Sequence, residues 1–163
     1  MSPHGGAKRS VVLLGLGNTL LSDDGVGVLV VRAIAGEARA LGAQVAEAEV
    51  AGFALVDVLG DHDAAVVVDA ARLPGLAPGE IVVRGLDEFE PSLHLVAAHQ
   101  VDLPAALALG RAMGHRMPEV VRVVAVQVAD DRTFCESCTP EVAAAVGTAA
   151  RLALGLVEEL VRS

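Results

Sequence analysis

The chain has no tryptophan, no tyrosine and only three phenylalanines. Its core must therefore be aliphatic, and recognition by stacking on aromatic rings is excluded as a main activity. Basic residues are also scarce, with 12 Lys and Arg against 21 Asp and Glu and a formal net charge of -9. A phosphate-neutralising surface needs the opposite balance, so nucleic acid is not an expected partner. No stretch reaches the roughly 18 uninterrupted apolar residues of a membrane span, and a membrane is not an expected partner either. Lys8 and Arg9 precede an apolar run, but Val11 to Leu14 stops at a glycine, and no small-residue cleavage pattern follows. A cytoplasmic protein is expected. The two cysteines, Cys135 and Cys138, are not expected to form a structural disulfide in that compartment.

What the chain does have is Val, Leu and Ala, which supply most of its 53% hydrophobic content. At 163 residues it suits one ordinary domain, able to bury roughly 70% of its unfolded surface without staples. Residues 1–10 read as a polar leader and residues 11–163 as a single domain. Val11 to Gly15 is a continuously apolar strand of the kind buried on both faces of a parallel sheet. From Gly25 the period becomes helical, with Val26, Leu29, Val30, Ala33, Ile34 and Leu41 on one face, until Gly42 stops the helix. Gln44 to Val50 alternates as a second strand, and Phe53 to Leu59 reads as a short helix between Gly52 and Gly60. Ala64 to Val68 is another buried strand that ends at Asp69. Leu73 to Gly79 is a loop rich in proline and glycine, and Ile81 to Val83 a short strand. The acidic cluster from Asp87 to Glu90 reads as a solvated loop. Asp102 can cap a helix with Leu103, Ala106, Leu107 and Gly110 on one face. Val120 to Val126 is the last strand. Thr139, Pro140 and Glu141 form a helix start with a side-chain cap, and an apolar stripe from Val142 through Leu152 to Leu160 follows. Strands alternating with helices predict an α/β fold, a three-layer α/β/α sandwich with a mostly parallel sheet of about five strands.

Several segments carry chemistry. Gly15-Leu16-Gly17-Asn18-Thr19-Leu20 stands where a dinucleotide fingerprint would, but position 20 is Leu where a third glycine is needed, so the reading is a tight turn. Ser22-Asp23-Asp24-Gly25 precedes the first helix. One Asp of the pair can cap that helix, which leaves a second acid at the edge where parallel strands open onto a ligand crevice. Asp69, at the end of a buried strand, shares that edge and must meet a cation, a helix terminus or water. His99 adds an imidazole, and two carboxylates with one imidazole make a divalent-metal set with room for exogenous ligands. Cys135-Glu136-Ser137-Cys138 lacks the second pair of a metal ribbon and precedes the last helix where a redox pair would open it. Motifs for a serine hydrolase elbow, a zinc protease helix and a phosphate-cradling loop are absent from the sequence.

Taken in order, the stretch from Gly15 to Gly27, then Val68-Asp69-Ala70, then His99-Gln100-Val101-Asp102-Leu103, then Thr139-Pro140-Glu141-Val142 resembles the hydrogenase maturation peptidase family. The resemblance runs from Val11 to the last helix. It implies a monomeric α/β/α endopeptidase, of aspartic type, that removes the C-terminal extension of a nickel-loaded [NiFe]-hydrogenase large-subunit precursor. Matched residue by residue, it places the metal contacts at Asp24, Asp69 and His99 and the catalytic carboxylates at Asp24 and Asp69. Gly15, Gly17, Asn18, Asp23 and Gly25 then shape the loop. Nickel is expected to arrive with the substrate and not as a resident cofactor. Three roles stay open at this point: nickel as a recognition handle, nickel polarising the scissile carbonyl, and Asp24 or Asp69 activating a water. A non-enzymatic, nickel-dependent chaperone for the same precursor uses the same three residues and is the alternative. The Cys135 to Cys138 segment departs from the Gly-Leu-Ser approach to the last helix common among relatives.

Overall fold

A computed structural model describes residues 8–49, 53–88 and 103–163. Five strands form one sheet in the order β2-β1-β3-β5-β4. These are β1 (Val11–Leu16), β2 (Gln44–Ala48), β3 (Ala64–Ala71), β4 (Ile81–Gly85) and β5 (Val120–Gln127). Four helices complete the three layers: α1 (Val26–Leu41), α2 (Phe53–Leu59), α3 (Leu103–Ala112) and α4 (Pro140–Arg162). The expected sandwich is therefore the observed one, parallel except for the β4–β5 pair.

The central strands are apolar at most positions because both faces are covered, the exceptions being Asp69 on β3 and Arg122 and Gln127 on β5. Val11, Leu13, Val66, Val68, Val124 and Val126 pack under α1 and α4, while Val12, Leu14, Ala65, Val67, Val123 and Ala125 pack under α2 and α3. β4 runs antiparallel because its connection carries no helix. The chain leaves β3 at the C-terminal edge, and residues 72–80 arch over the end of β5, where the Gly79 N–H donates to the Gln127 carbonyl at 2.8 Å. It then descends on the far side, and a loop that stays on one edge yields an antiparallel neighbour.

Several sequence expectations shift. β3 does not end at Asp69 but runs two residues further, because Asp69, Ala70 and Ala71 still pair with Ala125, Val126 and Gln127. β2 stops at Ala48 and leaves Val50 outside the described residues. On α1 the buried face is Val26, Gly27, Val30, Val31, Ile34 and Ala38, so Ala33 faces solvent. On α4, Leu152 is exposed, because its neighbours Ala149 and Ala153 define the inward face. The leader is tied in at its end, since Ser10 N–H donates to Asp63 Oδ2 at 2.8 Å. Gly42 does stop α1, in a left-handed conformation with φ of 99°.

Candidate active site

Asp69 stands on β3 at the C-terminal edge of the sheet and is 1% exposed. Its Oδ1 accepts the Ala70 N–H at 2.8 Å. Its Oδ2 is buried and has no hydrogen-bond partner among the described residues. Burial, then the charge of Asp24, hold the Asp69 carboxyl well above the usual carboxylate range, opposed only by the Ala70 N–H.

Asp24 is held near enough to Asp69 to act on its carboxyl by a loop that only glycine permits. Gly17 has φ of +134°, and a Cβ there would lie 1.9 Å from the Asp24 carbonyl oxygen. After the loop, Ser22–Gly25 form one turn of 3-10 helix that leads into α1. A Cβ on Gly27 would meet the Val68 oxygen at 2.2 Å and the Leu16 oxygen at 2.6 Å, so the first turn of α1 rests on the ends of β1 and β3. Gly15 and Gly25 lie in the same tight contact zone. The Asn18 N–H donates to Asp24 Oδ2 at 2.8 Å, while Asn18 Oδ1 accepts the Leu20 N–H at 2.9 Å. Asn18 is thus a loop-shaping residue that also orients the acid. Asp24 caps no helix: the residue before α1 is Gly25, without a side-chain cap bond.

Asp23 points the other way and ties this loop to the segment between β5 and α4. Its Oδ2 accepts the N–H groups of Ala129 and Asp130 at 2.9 Å each, and its Oδ1 accepts the Thr139 N–H at 2.7 Å. The Thr139 hydroxyl donates to the same carboxylate at 2.8 Å from Oδ2. The expectation that Thr139 caps α4 with its own side chain is corrected, because its hydroxyl is committed to Asp23. Asp23 itself, fully buried, supplies the negative charge at that helix start.

Asp24 and Asp69 are near enough for the charge of one to act on the other. His99, like Gln100 and Asp102, lies outside the described residues. Among the described residues no group of three His, Cys, Asp or Glu side chains could hold a metal ion. Cys135 and Cys138 are free thiols, and burial, followed by Asp23 and Cys135, pushes Cys138 up to about 11. A thiol so placed stays protonated at neutral pH and is a poor nucleophile or metal ligand. The sequence reading did not find the rim of the site. Arg72, three residues beyond Asp69, clasps Asp131 with Nε and Nη2, which holds the Asp131 carboxyl below its ordinary value. Two partners 59 residues apart carry no local signal.

A carboxyl whose proton affinity is raised by burial and by a neighbouring acid can take up a proton, and two such acids can also turn oxygens toward a divalent cation. Comparison with known proteins points to one chemistry. The family model HycI, hydrogenase maturation protease, matches residues 28–156. The hydrogenase expression/formation protein HupM of Azotobacter chroococcum mcd 1 is 30% identical over 157 residues, covering 94% of this chain and 74% of that protein. The hydrogenase maturating endopeptidase HybD from E. coli superposes with a TM-score of 0.73 at 22% identity, over 92% of this chain and 93% of that one, a likeness of fold. The [NiFe] hydrogenase maturation protease HybD from Thermococcus kodakarensis superposes with a TM-score of 0.70 at 25% identity, over 91% and 99% of the two chains.

Proposed function

This chain belongs to the hydrogenase maturation protease family, and from that premise we propose that it removes the C-terminal extension of a nickel-loaded [NiFe]-hydrogenase large-subunit precursor. The observation that carries the reading is the buried pair of Asp24 and Asp69, whose charges interact at the C-terminal edge of the sheet. Asp69 Oδ2, buried and lacking a hydrogen-bond partner among the described residues, fits a site completed by something the substrate brings. A hard oxygen pair with the imidazole of His99 suits nickel carried on the precursor, as part of the substrate. Asp24 and Asp69 are the catalytic carboxylates in this reading, and one of them takes the proton of the attacking water. We place the reaction in the cytoplasm. Among the described residues no helix is long and apolar enough to cross a membrane.

The test is the intact mass of a nickel-loaded precursor incubated with the purified protein. Loss of one short C-terminal peptide is expected, absent without nickel and slowed at least ~100-fold in Asp24→Ala, Asp69→Ala and His99→Ala. Tight nickel-dependent binding with no change of mass would instead make the protein a binding module for the same precursor.

A further inference from the structure

The segment between β5 and α4 is held by backbone hydrogen bonds on both sides of Phe134. Asp23 takes the N–H groups of Ala129 and Asp130, and Arg72 clasps Asp131. Asp130 Oδ1 accepts the N–H groups of Arg132 at 3.0 Å and Thr133 at 2.9 Å. The Cys135 N–H donates to the Leu20 carbonyl at 2.9 Å, and the Ser22 N–H to the Cys135 carbonyl at 2.8 Å. The Ser22 hydroxyl donates to the Ser137 carbonyl at 3.1 Å. Every one of the partners from the first loop lies within the stretch that carries Asp24.

On this pinned loop Phe134 is 78% exposed, more than any other large hydrophobic residue described, and the Arg132 side chain is 89% exposed. Scattered apolar side chains on a surface need no function. Phe134 differs in three respects. The parallel bridge between Leu21 and Cys135 puts the backbone of Phe134 in register with that of Leu20, itself 39% exposed. The N–H groups of Thr133 and Cys135, on either side of Phe134, are already hydrogen-bonded, and a backbone held in advance loses less entropy on binding. Two residues before Phe134 on the same loop, Arg132 keeps an 89% exposed side chain whose Nε lies 4.0 Å from Asp131 Oδ1, and an aromatic with an arginine is the composition of interface hot spots.

We propose that Phe134, Leu20 and Arg132 are the docking rim for the folded precursor, with Phe134 entering an apolar recess on it and Arg132 meeting a carboxylate at the border of that recess. The occupant follows from continuity: the rim is hydrogen-bonded to the loop bearing Asp24, so a protein substrate whose scissile bond reaches the acid pair has this rim as an adjoining surface. The inference rests on the endopeptidase reading for its partner, and it explains how a protease of this kind accepts one protein and spares others.

The experiment measures the Kd for the nickel-loaded precursor, together with kcat and KM for its cleavage, in the wild type, Phe134→Ala, Phe134→Leu, Arg132→Ala and a distant surface control, Leu152→Ala. Thermal melting confirms that each variant is folded. Phe134→Ala should raise Kd and KM about tenfold or more with kcat within about twofold, and Phe134→Leu should recover part of the loss. Arg132→Ala should weaken binding about threefold and flatten its salt dependence. Leu152→Ala should match the wild type. A folded Phe134→Ala that binds and cleaves like the wild type overturns the docking rim, as does a wild type that ignores the precursor or buries Phe134 in its own dimer. Binding that depends on Phe134 without any cleavage overturns the endopeptidase reading and leaves the rim standing.

Discussion

The Asp23 carboxylate accepts the Thr139 backbone N–H at 2.7 Å across 116 residues of sequence, joining the loop before α1 to the start of α4. The same side chain satisfies Ala129 and Asp130. Asp23→Ala strands three N–H donors, and at about 1 kcal/mol or more for each the loss should be at least ~3 kcal/mol in urea denaturation. Asp23→Asn keeps one acceptor oxygen and should fall between. A loss below about 1 kcal/mol in the alanine variant would mean that water replaces these bonds without cost.

Asp69 offers a trade of stability against activity. Burial and the neighbouring Asp24 oppose its charge, so Asp69→Asn, of nearly the same shape, should melt higher than the wild type at pH 7. Cleavage of the precursor should be lost at the same time. An Asn variant that melts lower would show that the carboxyl is held by interactions the burial argument omits.

Two glycines on α1 should respond in opposite directions. A Cβ at Gly27 runs into strand backbone at 2.2 Å, which cannot yield, so Gly27→Ala should cost more than ~2 kcal/mol or prevent soluble expression. A Cβ at Gly36 meets nothing within 4 Å on the exposed side of the same helix, and Gly36→Ala should stabilise by about 0.5–1 kcal/mol. Equal effects at the two positions would refute the close approach of α1 to β1 and β3.

Asp131 sets a pH dependence. Its hydrogen bonds to Arg72 hold its folded-state pKa below the unfolded value, so its stabilising contribution is present above the unfolded pKa and is lost as pH falls through the folded one. Arg72 is partly open to solvent, which limits the pair to about 1 kcal/mol. Asp131→Asn should therefore melt about 2–4 °C below the wild type at pH 6–7, and the gap should close near pH 3. A gap that persists in acid would assign the effect to packing.

How much of this was legible in the sequence depended on whether the cause was local. The continuous apolar runs at Val11 and Ala64 marked strands buried on both faces, and α2 was read at its observed bounds. Gly17 and Gly27 belong to a motif that points to the loop and the family, and the positions of Asp24 before a helix and Asp69 late in a buried strand point to one sheet edge. The Thr139 cap was misread because a threonine before proline and glutamate is a sound local cap, and local pattern contains no information about a competing carboxylate far upstream.

By itself the sequence determined the periods, and so the elements, the layer class, the two acids at strand and loop ends and the family they indicate. Tertiary structure alone decided what the acids face. Asp24 meets Asp69 because glycines let α1 sit on the strand ends, Asp23 turns away because three donors from β5 and α4 wait for it, and β4 reverses because its loop arches over one edge. Each of these is a contact between segments distant in the chain, and hydrogen bonding and close packing act on distance in space, which residue spacing along a strand or helix does not encode.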